Sequence, residues 1–544
     1  MNAGEGMPYW GADERIALLD RLRGQAPSHV PIWDLVVVGA GITGAGIARD
    51  AAMRGLAVLV VEAQDVAFGT SSRSTRLIHG GVRYLEQGEL GLVYEALRER
   101  SRLYAAAPHL VRPSRFLFPA YDGDRLGPWK LRLGLTLYDT LNFHRGEAHD
   151  YLTAEATRLT EPLLAEAGLR GAVQYEDAVT DDARLTLAIL LDARRHGAEV
   201  LTYAPVRAIE GTRGAHRIVL EDGTAVHGRT AVVAAGPWSG PALLGRTGEG
   251  LLSLSKGIHI VMRAADVPVR QPVVIQAREQ RRILFVVPWG ERTYLGTTDA
   301  PYVGDPGKSG VTETDEDELL EQIGRLLPGA RLRRDAIVSA WSGVRPLVRS
   351  ESSRGDTVEL SRKHRVVERD DGVLGIVGGK LTTYRSMAEE LVDEVVAKLP
   401  QTAAGTRPGP CITDRVPLVP GDPPSAEALL DPVVADLLAR HGPAARELAA
   451  SASATDRGRI VDDLPYRWCE VTHAIGHEGV VHAIDIVRRR LPLVLTDVAL
   501  GGRVIGEIAR RLVKARGGTQ ADIDDEIARY RDEVHTETRR DPMG

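Results

Sequence analysis

Leu35-Val36-Val37-Val38-Gly39-Ala40-Gly41-Ile42-Thr43-Gly44 decides how this chain is read. The four leading apolar residues suit a buried strand. Three glycines at G-x-G-x-x-G spacing follow, and Ile42 to Met53 continues as a helix that Gly55 ends. Val58 to Val61 predicts a second strand, closed by Glu62 eighteen residues past Gly44. Strand, glycine turn, helix, strand and terminal acid make a dinucleotide fingerprint in its required context. Gly39 permits the tight turn, Gly41 admits a pyrophosphate against the backbone, and Gly44 lets the helix lie close on the strand. The helix start at Ile42 and Thr43 offers free N–H groups to phosphates, and Glu62 can accept from a ribose hydroxyl. In a chain with 57 glycines the flanking elements, not the glycines, make the motif specific. The motif alone does not separate FAD from NAD.

The rest of the chain bounds that reading. At 544 residues it is long enough for two to four domains. A net charge of −6 argues against a dedicated nucleic-acid binder, which needs basic excess. Cys411 and Cys469 are the only cysteines, too few for a redox C-x-x-C pair or a cysteine-rich zinc site. They suit a reduced, cytoplasmic setting. No stretch approaches the roughly 20 apolar residues of a membrane span. Asp13, Glu14, Arg15 and Asp20 interrupt the place where a signal peptide would be apolar.

Residues 1–33 read as a leader with a short helix, Asp13 to Arg23. Residues 34–250, joined by 335–400, read as an α/β nucleotide-binding domain, with helices at Leu85–Ala107 and Asp182–His196 and strands at Val200–Tyr203 and Thr230–Ala235. The main part of 251–347 is richer in β-strand. It suggests an inserted antiparallel substrate domain with one helix, Asp315 to Leu327, and a turn at Gly290-Glu291. Prolines crowd 402–424, the expected linker, and 425–544 reads as a helical C-terminal domain with Val498–Lys514 its clearest helix.

Five segments carry a family resemblance. They are Gly39 to Gly46, Thr70 to Glu86 (Thr-Ser-Ser-Arg-Ser-Thr-Arg-Leu-Ile-His-Gly-Gly-Val-Arg-Tyr-Leu-Glu), Ala235 to Trp238, Ser342 to Leu347 and Gly378 to Arg385 (Gly-Gly-Lys-Leu-Thr-Thr-Tyr-Arg). In that order, over residues 33–400, the chain resembles the FAD-dependent glycerol-3-phosphate dehydrogenases. The second and fifth segments are the specific ones. The resemblance implies a glutathione-reductase-type, Rossmann-like FAD domain with a substrate domain over the flavin. It implies oxidation of sn-glycerol 3-phosphate to dihydroxyacetone phosphate, with electrons passed to a quinone, and hence peripheral contact with the inner face of the cell membrane. A homodimer is a further option.

Such chemistry sets three needs: stabilising the reduced flavin, holding a phosphate dianion, and favouring loss of the hydroxyl proton. Gly379, Lys380, Leu381 and Thr382 open a second glycine loop that could face the flavin. For the phosphate, whose oxygens arginine's fork matches, the resemblance points to Arg345, Arg83 and Arg362 among many arginines, with Tyr84 as hydroxyl donor, and Lys380 is a further cation. Arg345 leads, lying at the end of the apolar run Ile337 to Trp341. His79, His259 and Arg345 are candidates for the proton step, with Lys380 in support, and the sequence leaves the choice open. Histidine also attaches FAD covalently in some flavoproteins, whereas the family resembled binds it non-covalently. Thr70, Ser71, Ser72, Ile78, Gly80, Ala235 and Gly236 are expected around the cofactor, and Val206 at the adenine.

Two further features stand apart. Pro128 to Tyr138 mixes apolar residues with Lys130 and Arg132, which suits either a membrane surface or a buried helix. His473, His477 and Glu478 do not follow the order of the zinc-protease motif, so no metal is expected. The competing functions are an oxidase of the same substrate using molecular oxygen, an amine or amino-acid oxidase, and a non-enzymatic dinucleotide-binding regulatory protein.

Overall fold

The computed structural model describes residues 9–24, 31–81, 88–142, 147–277, 282–349, 363–399 and 401–539. Ile32–Val38 is the central strand of the first sheet, parallel to Val58–Val61 on one side and Ala225–Val233 on the other. Every residue from Trp33 to Val38 is buried, as expected where helices and further chain cover both sheet faces. Glu199–Leu201 extends the sheet past Val58–Val61, and Leu374–Val377 extends it past Ala225–Val233. Helix Ile42–Met53 packs between helices Asp182–Arg195 and Tyr384–Lys398. Gly46 permits this approach, since a β-carbon there would sit 2.8 Å from the Tyr384 ring.

The second sheet is mostly antiparallel. Its spine pairs Leu252–Arg263 with Ile337–Val348 and with Arg292–Gly296. It also takes Val111–Tyr121, Leu169–Thr180 and Leu77–Ile78, all from within the 34–250 range expected to belong to the nucleotide-binding domain. The chain thus passes from the first sheet to the second and back more often than a single insertion requires.

Several boundaries moved. Of the helix expected over Leu85–Ala107, the start at Leu85 lies outside the described residues and Leu90–Ala106 is helical, while the helix expected from Val498 begins at Ile505, after Gly501 adopts φ +86°. The helix expected over Asp315–Leu327 runs Glu313–Gly324, set by the Thr312 side chain accepting from Asp315 N–H in a capping box. Residues 402–424 lack helix and strand but are tied down. Arg49 donates to the carbonyls of Thr413 (3.2 Å) and Val416 (2.8 Å), and Leu418 is fully buried.

Buried ion pairs tie the C-terminal helices to one another and to the nucleotide-binding part of the chain. Arg489 and Arg490 both reach Asp65, at 2.6 and 2.7 Å. Arg488 pairs with Glu537 (2.6 Å), and Arg184 with Glu478 (2.7 Å). Three consecutive buried arginines are tolerable only because each finds a carboxylate.

Candidate active site

One cavity of about 1320 Å³ runs from the fingerprint to the second sheet. Gly39, Gly41, Ile42, Thr43 and Glu62 line one end, with Val206 beside them. His259 and Arg345 line it from the second sheet, and Gly379, Lys380, Leu381 and Thr382 from the second glycine loop. Thr70, Ser71, His79, Ala235 and Gly236 also line its walls. The distant segments singled out in the sequence therefore share one space.

At the fingerprint, Gly39 has φ +111°, and a β-carbon would lie 2.6 Å from the Ala234 carbonyl oxygen. Only glycine fits that turn. Ile42 N–H donates to Ser71 Oγ at 2.9 Å, which ties the helix start to the Thr70–Ser72 turn. Glu62 accepts from Ala40 N–H (2.6 Å) and Gln64 N–H (2.9 Å). Burial pushes its carboxyl above the usual carboxylate range, against those hydrogen bonds. Gly379 has φ +86°, and a β-carbon there would strike Met387 Sδ at 2.3 Å.

On the second sheet, Arg345 Nη2 donates to Thr297 Oγ1 (2.8 Å) and Nη1 to the Thr298 carbonyl (3.3 Å), with Asp299 Oδ1 at 3.4 Å. His259 stacks on Trp341, ring centroids 4.6 Å apart and planes 10° from parallel. Its Nε2 meets Thr75 Oγ1 at 3.1 Å, while its buried Nδ1 has no hydrogen-bond partner among the described residues. Burial, then Arg345 and Arg76, hold this imidazole well below the ordinary histidine pKa, so it is neutral near pH 7.

Some expected site residues lie behind the wall. Gly44 supports the turn from beneath, its Cβ position 1.9 Å from the Gly39 oxygen. Ser72 and Ile78 are buried and do not line the cavity. Gly80 donates from its backbone to Tyr138 Oη at 2.9 Å. Arg83, Tyr84 and Arg362 lie outside the described residues. The sequence reading missed Thr75, Thr297, Asp299 and Trp341, whose roles depend on strand register. It also missed one face of helix Gln520–Thr538, from Asp525 to Thr536, which lines the cavity too.

His441, His473 and Glu478 bring nitrogen and oxygen atoms within 4.8 Å of one another. Arg184 Nη1 already contacts both Glu478 oxygens, at 2.7 and 2.9 Å, and His441 Nε2 meets Glu470 at 3.0 Å. The guanidinium supplies the cation there.

A dinucleotide fold joined to an antiparallel sheet across one cavity defines a flavoprotein oxidoreductase, and a family model of FAD-dependent oxidoreductases matches residues 34–385. A second, the C-terminal domain of alpha-glycerophosphate oxidase, matches residues 376–522. The aerobic glycerol-3-phosphate dehydrogenase of Staphylococcus aureus is 37% identical over 401 residues, covering 72% of this chain and 71% of that protein. The FAD complex of the glycerol-3-phosphate dehydrogenase from Bacillus halodurans superimposes with a TM-score of 0.76 at 27% identity, over 97% of this chain and 98% of that one. L-alpha-glycerophosphate oxidase from Mycoplasma pneumoniae shares the fold, with a TM-score of 0.56 at 16% identity over 67% of this chain and 95% of that one. The chain belongs to the FAD-dependent glycerol-3-phosphate dehydrogenase/oxidase family, and its cofactor is FAD.

Proposed function

We propose that the protein oxidises sn-glycerol 3-phosphate to dihydroxyacetone phosphate and delivers the electrons to a quinone. The observation that carries the reaction is Arg345 and a neutral, buried His259 lining the same cavity as the dinucleotide fingerprint. FAD supplies the hydride acceptor. Gly39 to Thr43 and Ser71 hold its phosphates, Glu62 and Val206 its adenosine, and Gly379 to Thr382 with Lys380 its ring end. Arg345 binds the anionic substrate, because it lines the cavity with its guanidinium held in place by Thr297 and Asp299. His259, a neutral imidazole on the cavity wall with Nε2 held 3.1 Å from Thr75 Oγ1, favours loss of the hydroxyl proton. The stacked Trp341 holds the ring in place.

A surface feature supports the quinone. Helix Pro128–Leu141 buries Leu131, Leu135 and Tyr138, yet exposes Trp129 (67%) and Leu133 (64%) with Leu137 on the same outer stripe. Lys130 and Arg132 flank them, and exposed Leu90 and Tyr94 stand on the neighbouring helix Leu90–Ala106. An apolar stripe edged with cations suits an anionic lipid surface, where a quinone resides. Among the described residues no helix is long and apolar enough to cross a membrane.

Molecular oxygen as acceptor is the second reading, favoured by the match of residues 376–522 to the C-terminal domain of an alpha-glycerophosphate oxidase. Anaerobic addition of glycerol 3-phosphate should bleach the flavin absorbance and yield dihydroxyacetone phosphate, while glycerol leaves it unchanged. Reoxidation should be fast with a short-chain quinone and slow in air with little peroxide. Bleaching by glycerol as readily as by its phosphate would overturn the substrate, and one peroxide per turnover in air would overturn the acceptor.

A further inference from the structure

We infer that Tyr138, Asp177 and Arg100 form a positioning network that sets the backbone of the His79-Gly80 segment against the cavity, and that turnover depends on it. The inference rests on the glycerol 3-phosphate reading above.

His79 lines the cavity, but its backbone is held from behind and from the side. From the side, Thr382 Oγ1 accepts from His79 N–H at 3.3 Å and donates to the His79 carbonyl at 3.4 Å. This joins the segment to the second glycine loop. From behind, Gly80 N–H is shared between Tyr138 Oη at 2.9 Å and Asp177 Oδ1 at 3.3 Å. Tyr138 Oη donates in turn to Asp177 Oδ1 at 2.7 Å. One carboxylate oxygen thus gathers a phenol, a backbone amide and the guanidinium of Arg100, which also donates to the Glu176 carbonyl at 2.6 Å.

All three side chains are buried: Arg100 and Asp177 expose 2% and 3% of their side chains, and Tyr138 only 2% of the residue. A buried polar group left unpaired costs about 1–3 kcal/mol, so the phenol, the carboxylate and the Gly80 amide are held to one another. The fit is also steric. A β-carbon on Gly80 would lie 2.5 Å from Tyr138 Oη and 2.7 Å from Leu97 Cδ2. Tyr138 therefore sets both the hydrogen bond and the closest approach of the segment. None of the three residues lines the cavity, so each acts through His79-Gly80 rather than on the substrate.

The arrangement also explains the two sets of atoms on helix Pro128–Leu141. Leu131 and Leu135 fill the apolar layer beneath it, while Tyr138 is the residue that reaches across to the active-site segment. Tyr175, edge-on to Tyr138 at 6.1 Å, fixes the phenol from its other side.

The test is Tyr138→Phe in the full-length holoprotein. It removes the hydroxyl and almost no volume. The rate constant of anaerobic flavin reduction by glycerol 3-phosphate should fall roughly tenfold or more, as misplacement near a reaction centre does. KM should stay within about twofold, FAD should be retained, and the flavin absorption bands should shift. Gly80→Ala, which drives the segment away from Tyr138, should give the same spectral change. Should Tyr138→Phe not accumulate as folded holoprotein, Asp177→Asn carries the test, since it keeps the shape but removes the charge that gathers Arg100 and Tyr138, and it should slow flavin reduction and shift the bands in the same way. Unchanged reduction kinetics and spectrum in the folded variant, with only a lower Tm, would overturn the inference and leave a purely structural cluster. Wild-type protein that glycerol 3-phosphate does not reduce would instead overturn the functional reading.

Discussion

Gly257 and Arg345 contend for one space: a β-carbon on Gly257 would lie 2.3 Å from the Arg345 Nη2. The two residues are diagonal neighbours on paired strands, Leu252–Arg263 and Ile337–Val348, whose register sets Gly257 opposite Gly343 and Ser255 opposite Arg345. The guanidinium folds back over the gap that glycine leaves and reaches Thr297. Gly257→Ala should therefore displace Arg345 from Thr297 and weaken substrate binding. Charge-assisted hydrogen bonds contribute about 1.5–3 kcal/mol, so KM for glycerol 3-phosphate should rise roughly 10- to 100-fold with FAD content unchanged. Arg345→Lys should show a comparable rise, since an ammonium lacks the planar fork. Steady-state kinetics on both variants checks this, and an unchanged KM in either would remove Arg345 from the phosphate role.

His259 gives a pH prediction with a definite sign. Its folded pKa lies well below the usual value, from burial and then from the cations of Arg345 and Arg76. It is deprotonated, and competent to accept a proton, throughout the range above its unperturbed value of about 6.5. The reductive half-reaction should therefore show no loss of rate attributable to an imidazole between pH 8 and 6.5. His259→Asn should slow reduction by about 10²–10⁴-fold, the usual contribution of a general base. A stopped-flow pH profile with a wild-type inflection near 6.5 would count against this assignment.

The fingerprint was legible because all its parts lie within thirty residues, and local spacing states what the backbone must do. The second sheet was less so. Val111–Tyr121 pairs with Leu169–Thr180 along its length despite carrying Pro113 and Pro119, which withhold two backbone donors and read as breaks. Thr297 and Asp299 are two unremarkable polar residues in sequence, and they meet Arg345 only through the folding of three strands. The cavity face of Gln520–Thr538 was likewise invisible. It is brought there by Arg488, Arg489 and Arg490, whose partners Asp65 and Glu537 sit hundreds of residues apart.

The C-terminal domain and its docking should be acid-labile. Burial works against ionisation of Glu470, Glu478 and Glu537, but Arg440, Arg184 and Arg488 respectively outweigh it and hold each near 2. Their stabilisation is complete above the unfolded carboxylate range and is lost as pH falls through about 4.5 towards 2. Burial also lowers His109 to about 4 and His473 to about 3, so each contributes nothing above the unfolded value and opposes the folded state below it. Both sets have the same sign. Tm should be flat above about pH 7, decline below 6.5 as unfolded histidines gain protons, and fall more steeply below 4.5. Arg184→Met should lower stability by about 3–5 kcal/mol at neutral pH, because Glu478 loses its buried partner. Calorimetry across pH decides this, and a Tm that rises on acidification would contradict the sign.

The proposed membrane contact of the outer stripe of helix Pro128–Leu141 predicts that substrate oxidation and electron delivery can be separated by mutation. Leu133 and Leu137 point away from the core while Leu131, Leu135 and Tyr138 on the same helix are buried, so acidic replacements at the outer positions leave the packing intact. Burying one leucine in an apolar phase contributes about 1.5–3 kcal/mol. Leu133→Asp with Leu137→Asp should thus lower partitioning onto anionic phosphatidylglycerol vesicles roughly 100-fold or more, because it removes two such contacts and adds charge repulsion. Flavin reduction by glycerol 3-phosphate in solution should remain within twofold of wild type, whereas turnover with a vesicle-embedded long-chain quinone should fall in proportion to lost binding. A soluble short-chain quinone should restore it. If the double variant sediments with vesicles as wild type does, the docking surface lies elsewhere. If it loses binding yet keeps full turnover with the embedded quinone, this face has no part in electron delivery.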